Sequence, residues 1–246
     1  MPYPTPIPLP HTQAILDAED IPMTMQIGLL GTDGLVLASD TKWTLRQQLD
    51  GATVLAALGG SKIAINDAKT IAITLAGDMA KAYRLARAIF AVPELEKESD
   101  IDARLRRIWR IGNEITGDPK PQCLIAFSIP EPTLFLFQWI DAQSPECIPI
   151  PTYAFAGDSI NAAIYFPMRY YEIDEIKRLK QLAAHLIVAA GEINSGYISG
   201  LEMVCCENGI FERYTGPQNR NLENGAKQQI EKIKRLILDG TERNSL

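Results

Sequence analysis

The order of the apolar patterns constrains this chain most. Alternating runs that suit strands come in groups, and runs with helical spacing stand between those groups. Strands at 24–31 and 34–39 flank the turn Thr32-Asp33-Gly34, a hairpin signature. Residues 61–66 and 69–76 read as a second strand pair, with Asn66-Asp67 in the turn. Asp78 then suits the N-cap of a helix on which Met79, Ala82, Tyr83, Ala86, Ile89 and Phe90 keep helical spacing. A second helix is expected near 101–116, with Ile101, Leu105, Ile108, Trp109 and Ile115 on one face. Strands return at 122–129 and 133–140, and a strand at 152–159 leads into a helix at about 160–170. A long helix at 174–193 presents Ile176, Leu179, Leu182, Ala183, Leu186, Ile187 and Ala190. Strands at 201–206 and 210–214 meet at Glu207-Asn208-Gly209, and a charged amphipathic helix at 221–238 follows.

Consecutive helices between groups of antiparallel strands predict layers rather than alternating βαβ units. Two sheets stacked face to face, with a helix pair outside each, would cover every apolar face. The expected fold class is therefore α+β, a four-layer αββα sandwich. A chain of 246 residues suits one large domain. Residues 1–23 read as a tail or propeptide, because residues 1–10 carry a proline at nearly every second position and favour polyproline II. Residues 24–246 are then a single domain.

The formal charge is −6 and no long basic run occurs, which argues against nucleic acid or an anionic membrane as partner. No apolar run approaches the ~20 residues of a membrane span. Residues 1–23 lack the basic start and continuous apolar stretch of a signal peptide, so a cytoplasmic location is expected. Cys123, Cys147, Cys205 and Cys206 have no zinc-site spacing and read as buried thiols of a reducing compartment. No metal or organic cofactor is expected.

The stretch "TMQIGLLGTDGLVLASDTKWT", from Thr24 to Thr44, resembles the opening of a mature proteasome β-subunit. The resemblance continues through "SKI" after a glycine, "TIAITLAGD" running into a helix, "AFAGDS", and the final hairpin with its Asn-Gly turn. It covers roughly residues 24–238, with the bacterial HslV peptidase and smaller bacterial proteasome homologues as the nearest expected relatives. The family, the N-terminal nucleophile hydrolases, has the αββα layering reached above. It implies a threonine-type peptidase whose nucleophile, Thr24, is exposed by removal of residues 1–23. It further implies a self-compartmentalised double ring of fourteen identical subunits, peptides or unfolded proteins as substrate, and an ATP-driven (AAA+) unfoldase as a partner.

The chemistry of Thr24 also stands by itself. A threonine hydroxyl is a weak nucleophile near neutral pH and needs a base within hydrogen-bond reach. At a chain terminus its own α-amine, with a pKa of about 7.7–8.0, supplies that base. Asp40 ends the second hairpin strand, so the hairpin returns it beside Thr24. Lys62 is a cation interrupting the mostly apolar "GGSKIAI". Next to Thr24 it would lower the pKa of the hydroxyl and of the α-amine, with Asp40 holding its ammonium in place. The resemblance assigns Lys62 and Asp40 to the family's catalytic lysine and its aspartate partner.

The resemblance also implies supporting positions. A backbone amide at Thr74 would serve the oxyanion. Asp158 falls where the family has a serine, with Ser159 next to it, and Asn194 and Tyr197 fall where it has an aspartate and a serine. Met23 stands where family propeptides end in glycine. Thr24 would be freed by autolysis at Met23-Thr24, or by translation starting at Met23 followed by methionine removal. Two alternatives accompany the peptidase: a catalytically inactive ring subunit, and an amidase acting on small molecules.

Overall fold

The computed structural model describes residues 24–49, 52–115, 121–139, 145–157, 161–165 and 171–242. The proline-rich residues 1–23 lie outside the described residues, as do Asp158, Ser159 and most of the helix expected at 160–170.

Two five-stranded antiparallel sheets form the centre. The first joins β1 (Met25–Leu30), β2 (Leu35–Ser39), β10 (Tyr153–Gly157), β11 (Glu202–Glu207) and β12 (Ile210–Arg213) in the order β10-β1-β2-β11-β12. The second runs β5-β6-β7-β8-β9, from β5 (Ile63–Ile65), β6 (Ile71–Thr74), β7 (Cys123–Phe127), β8 (Thr133–Trp139) and β9 (Pro145–Ile150). Between β2 and β5 the chain makes a separate hairpin, β3 (Lys42–Leu49) with β4 (Ala52–Gly59). Helices α1 (Met79–Phe90), α2 (Pro93–Lys97) and α3 (Ile101–Asn113) cover the second sheet. Helices α4 (Ile176–Ile193) and α5 (Gly216–Glu242) cover the first. The four-layer αββα sandwich is therefore the observed fold.

The period-2 alternation of β1 builds two of these layers at once. Met25, Ile27 and Leu29 point to the helices, in one cluster with Ala183 and Ile187 of the covering helix and Met203 of the same sheet. Gln26 and Gly28 face the other way, into the space between the sheets. There Leu35, Leu37, Leu124, Leu134, Val204 and Phe211 form the inter-sheet core. Each such apolar side chain contributes roughly 1.5–3 kcal/mol by leaving water. Gly28 lets the sheets close, since a Cβ there would lie 2.8 Å from a Leu134 methyl.

The outer helices depart from the expected faces. On α1 the Asp78 cap forms as expected, accepting the Lys81 N–H at 2.9 Å, but Ala82, Leu85, Ala86 and Ile89 are inside while Met79 and Tyr83 are exposed. On α3 the buried face includes Arg104, whereas Ile101 and Trp109 are exposed. Arg104 earns its interior place by donating to Thr133 Oγ1, to the Ile129 carbonyl (3.0 Å each) and to the Glu98 carbonyl, with its guanidinium 4.2 Å from the Phe127 ring centre. Among the described residues no helix is long and apolar enough to cross a membrane.

Candidate active site

The β1–β2 hairpin delivers the first two side chains. Gln26 pairs with Ser39 in the β1–β2 register and the Asp40 N–H donates to the Met25 carbonyl at 3.2 Å, so Asp40 lies across from Met25, next to Thr24. Asp40 closes this end of the hairpin: its Oδ1 accepts the Met25 N–H at 2.9 Å, and its Oδ2 accepts the Lys42 N–H at 3.0 Å. Lys62 arrives from the opposite sheet, on the residue before β5, where its carbonyl accepts the Leu75 N–H at 2.7 Å.

The three side chains meet. Lys62 Nζ donates to Thr24 Oγ1 at 2.6 Å and to the two Asp40 carboxylate oxygens at 3.1 and 2.9 Å. Lys62 and Asp40 are completely buried, and Thr24 is 6% exposed. The Trp43 ring centre lies 5.0 Å from Nζ, a cation–π contact on the ammonium. Burial drives the Lys62 amine below its ordinary pKa, and the adjacent Asp40 charge and hydrogen bonds oppose that shift. Burial likewise pushes the Asp40 carboxyl up, against the pull of the Lys62 charge and of the amides it accepts. The ammonium donor turns a lone pair of Thr24 Oγ1 toward positive charge, which favours the alkoxide side of any proton transfer from that hydroxyl.

Gly157 shapes the other wall. It pairs with Met25 across β1 and β10 and holds φ at +85°, a conformation L side chains rarely adopt. A Cβ at this position would lie 2.0 Å from the Thr24 carbonyl oxygen, so only glycine lets β10 approach the residue so closely.

The supporting residues expected from the sequence are placed less uniformly. Thr74 is completely buried. Its hydroxyl donates to Gln26 Oε1 at 2.5 Å and accepts the Leu124 N–H at 2.8 Å, bridging the two sheets in the interior. Asn194 and Tyr197 sit in the connection from α4 to β11. That connection is tied to the rim of the site through the Gly196 and Ser199 carbonyls, which accept from Lys42 Nζ at 2.6 Å and Thr41 N at 3.0 Å. Among the described residues, no side-chain hydrogen bond joins Asn194 or Tyr197 to Thr24, Asp40 or Lys62. Sequence reasoning missed Glu202 and Arg213. Glu202 accepts the Lys62 backbone N–H at 2.6 Å and is ion-paired with Arg213.

No protein-family model matches the chain, and no curated protein matches it. Solved structures do. The Gly-1 mutant of Anbu from Hyphomicrobium sp. strain MC1 aligns at a TM-score of 0.65 and 15% identity, over 87% of this chain and 99% of that one. Anbu from Yersinia bercovieri, described as an ancestral beta-subunit, aligns at 0.63 and 15%, over 85% and 96%. These matches show the fold. They also correct the expectation that HslV-type peptidases and smaller bacterial homologues stand nearest. The likeness found is to Anbu, and at 15% identity it supports a proteasome-like relationship of fold and no narrower kinship.

Proposed function

We propose that the chain is a proteasome-like threonine peptidase, with Thr24 as nucleophile once residues 1–23 are removed. The observation that carries the reading is the contact from Lys62 Nζ to Thr24 Oγ1 at 2.6 Å, with Asp40 bonded to the same ammonium. A solvated surface threonine does not acquire a fully buried ammonium–carboxylate pair by chance, because burying two charges is costly unless each is satisfied by the other.

In the proposed reaction the free Thr24 α-amine accepts the hydroxyl proton while Oγ1 bonds to the substrate carbonyl carbon. The Lys62 ammonium stabilises the developing negative charge on Oγ1, and Asp40 keeps that ammonium aimed. Collapse of the tetrahedral species breaks the C–N bond, and the leaving amine takes the proton from the Thr24 amine. The resulting ester is hydrolysed by water, with the same amine as base. In this reading a single Ntn-type domain spans residues 24–246. Subunits assembled into a closed double ring, in the cytoplasm, would confine this chemistry to unfolded chains delivered by an ATP-driven partner.

The test is Thr24→Ala. Wild-type protein is expected to lose its residues before Thr24 and to be labelled at Thr24 by a peptide vinyl sulfone, while the variant is unlabelled. Equal labelling of both proteins would refute the assignment. A small-molecule amidase is separated from a chambered peptidase by sedimentation, since the former needs no large ring.

A further inference from the structure

The lysine at the centre of the site stands on weak backbone. β5 is three residues long and forms the edge of its sheet, paired on one side only, with β6. An edge this short leaves N–H and C=O groups without a strand partner, and it frays readily. Lys62 precedes it, and a lysine stem adds four rotatable bonds of its own. Even so, Nζ is held to hydrogen-bond distance from two partners.

The free side of this edge is closed by two side chains of the opposite sheet. Glu202, at the start of β11, accepts the Ser61 hydroxyl at 2.7 Å through Oε1 and the Lys62 N–H at 2.6 Å through Oε2. Arg213, at the end of the edge strand β12, donates to the Ile63 carbonyl at 2.5 Å and to Ser61 Oγ at 2.9 Å, and it pairs with Glu202. Residues 61, 62 and 63 are thus each gripped by the pair. Glu202 is 5% exposed and the Arg213 side chain 38% exposed, so the arginine is what makes a buried carboxylate tolerable there. Glu202 also faces Ser39 across β2 and β11, next to Asp40. One sheet therefore holds Lys62 at both ends, Asp40 at the ammonium and Glu202 at the backbone.

We infer that Glu202 and Arg213 are positioning residues: an ion pair with its carboxylate buried that stands in for the missing neighbour of β5 and fixes Lys62 Nζ against Thr24 Oγ1. The inference rests on the peptidase reading for its catalytic consequence, but its structural content is independent of that reading. Neither residue touches Thr24, and both act through Lys62.

The experiment pairs crystal structures with kinetics for Glu202→Gln and Arg213→Met. Arg213→Met serves as the second variant because Arg213 is partly exposed and the change keeps its length. The expected result is a Lys62 Nζ to Thr24 Oγ1 separation beyond about 3.2 Å, the reach of an N–H···O bond, in both variants. With it, kcat for peptide hydrolysis falls roughly ten- to a hundredfold at unchanged KM, since a misplacement of about 1 Å costs on that order. Arg213→Lys, which keeps the charge, restores part of the kcat. Retention of the wild-type contact in both variants overturns the inference, whatever the activity. So does a loss of kcat that tracks the folded fraction measured by circular dichroism, because that marks a merely structural role. A wild-type protein without activity, combined with a lengthened contact in the variants, would sink the peptidase reading and leave the positioning inference standing.

Discussion

Asp40→Asn separates a working ion pair from an incidental one. The side chain of Asp40 accepts from Met25 N, from Lys42 N and twice from Lys62 Nζ. An asparagine amide keeps one acceptor oxygen and turns an NH2 group toward donors, so at least one of these groups loses its partner. The larger cost is the Lys62 ammonium, completely buried and left without its counter-charge. Breaking one side of a buried pair typically costs about 3–5 kcal/mol, against a total stability of roughly 5–15 kcal/mol. With an m-value near 3 kcal/mol/M for urea, the unfolding midpoint should fall by about 1–1.7 M. The pH dependence has a definite sign. Asp40 is what raises the Lys62 pKa against desolvation, so its loss leaves the folded-state amine further below its unfolded value of about 10.4. The unfolded state then binds more protons, and stability rises with pH up to that unfolded value. The deficit of Asp40→Asn should therefore be smaller at about pH 9 than at about pH 7, both of which lie below that unfolded value. Urea titrations followed by far-ultraviolet circular dichroism at the two pH values read both effects. A midpoint shift below about 0.3 M, equivalent to about 1 kcal/mol, would refute a dry, mutually dependent pair. A deficit that grows with pH would refute the assigned charge on Lys62.

Gly157→Ala forces a methyl group to within 2.0 Å of the Thr24 carbonyl at a φ of +85°. It should cost more than about 2 kcal/mol and slow vinyl sulfone labelling of Thr24 at least about tenfold. Wild-type labelling with an unchanged melting temperature would contradict this. Arg104→Met removes the donors to the Ile129 and Glu98 carbonyls and to Thr133, and should cost about 2–3 kcal/mol, read as a melting temperature lower by roughly 5–10 °C. A drop below about 2 °C would mean the arginine is not a core element. As pH falls, the raised Asp40 carboxyl should take up a proton before a free aspartate with its pKa of about 3.9. Labelling of Thr24 should therefore decline at a correspondingly higher pH, and a rate that follows an ordinary carboxylate would contradict it.

The sequence exposed the parts of the molecule governed by local pattern. The Thr32-Asp33-Gly34 turn and the alternation around it specify the β1–β2 hairpin, and a hairpin of that length sets Asp40 beside Thr24. Lys62 was conspicuous as a lone cation in an apolar stretch. Glu202 and Arg213 carried no such signal. Each lies at the end of a short strand that carries a second charge, Glu207 in β11 and Glu212 in β12, the pattern of a solvated face, and Glu202 meets Lys62 only through a contact 140 residues apart in the chain. Pro145 and Pro149 argue against a strand at β9, yet it is an edge strand, where proline is tolerated. The β3–β4 hairpin has a turn signal in its sequence, Asp50-Gly51 between its strands. The face of α3 differs from its apolar spacing because burying Arg104 depends on two carbonyls and a ring supplied by tertiary structure.

The central claim is that the hydroxyl and the amine of one residue act together. Treating protein produced in its native host with a peptide epoxyketone, followed by intact mass and peptide mapping, tests it most directly, because that group bonds to both functions when they belong to a terminal threonine. The account predicts a chain that begins at Thr24 and carries one adduct on that residue. A chain that still carries Met23 and takes up no reagent, or an adduct on any other residue, would contradict it.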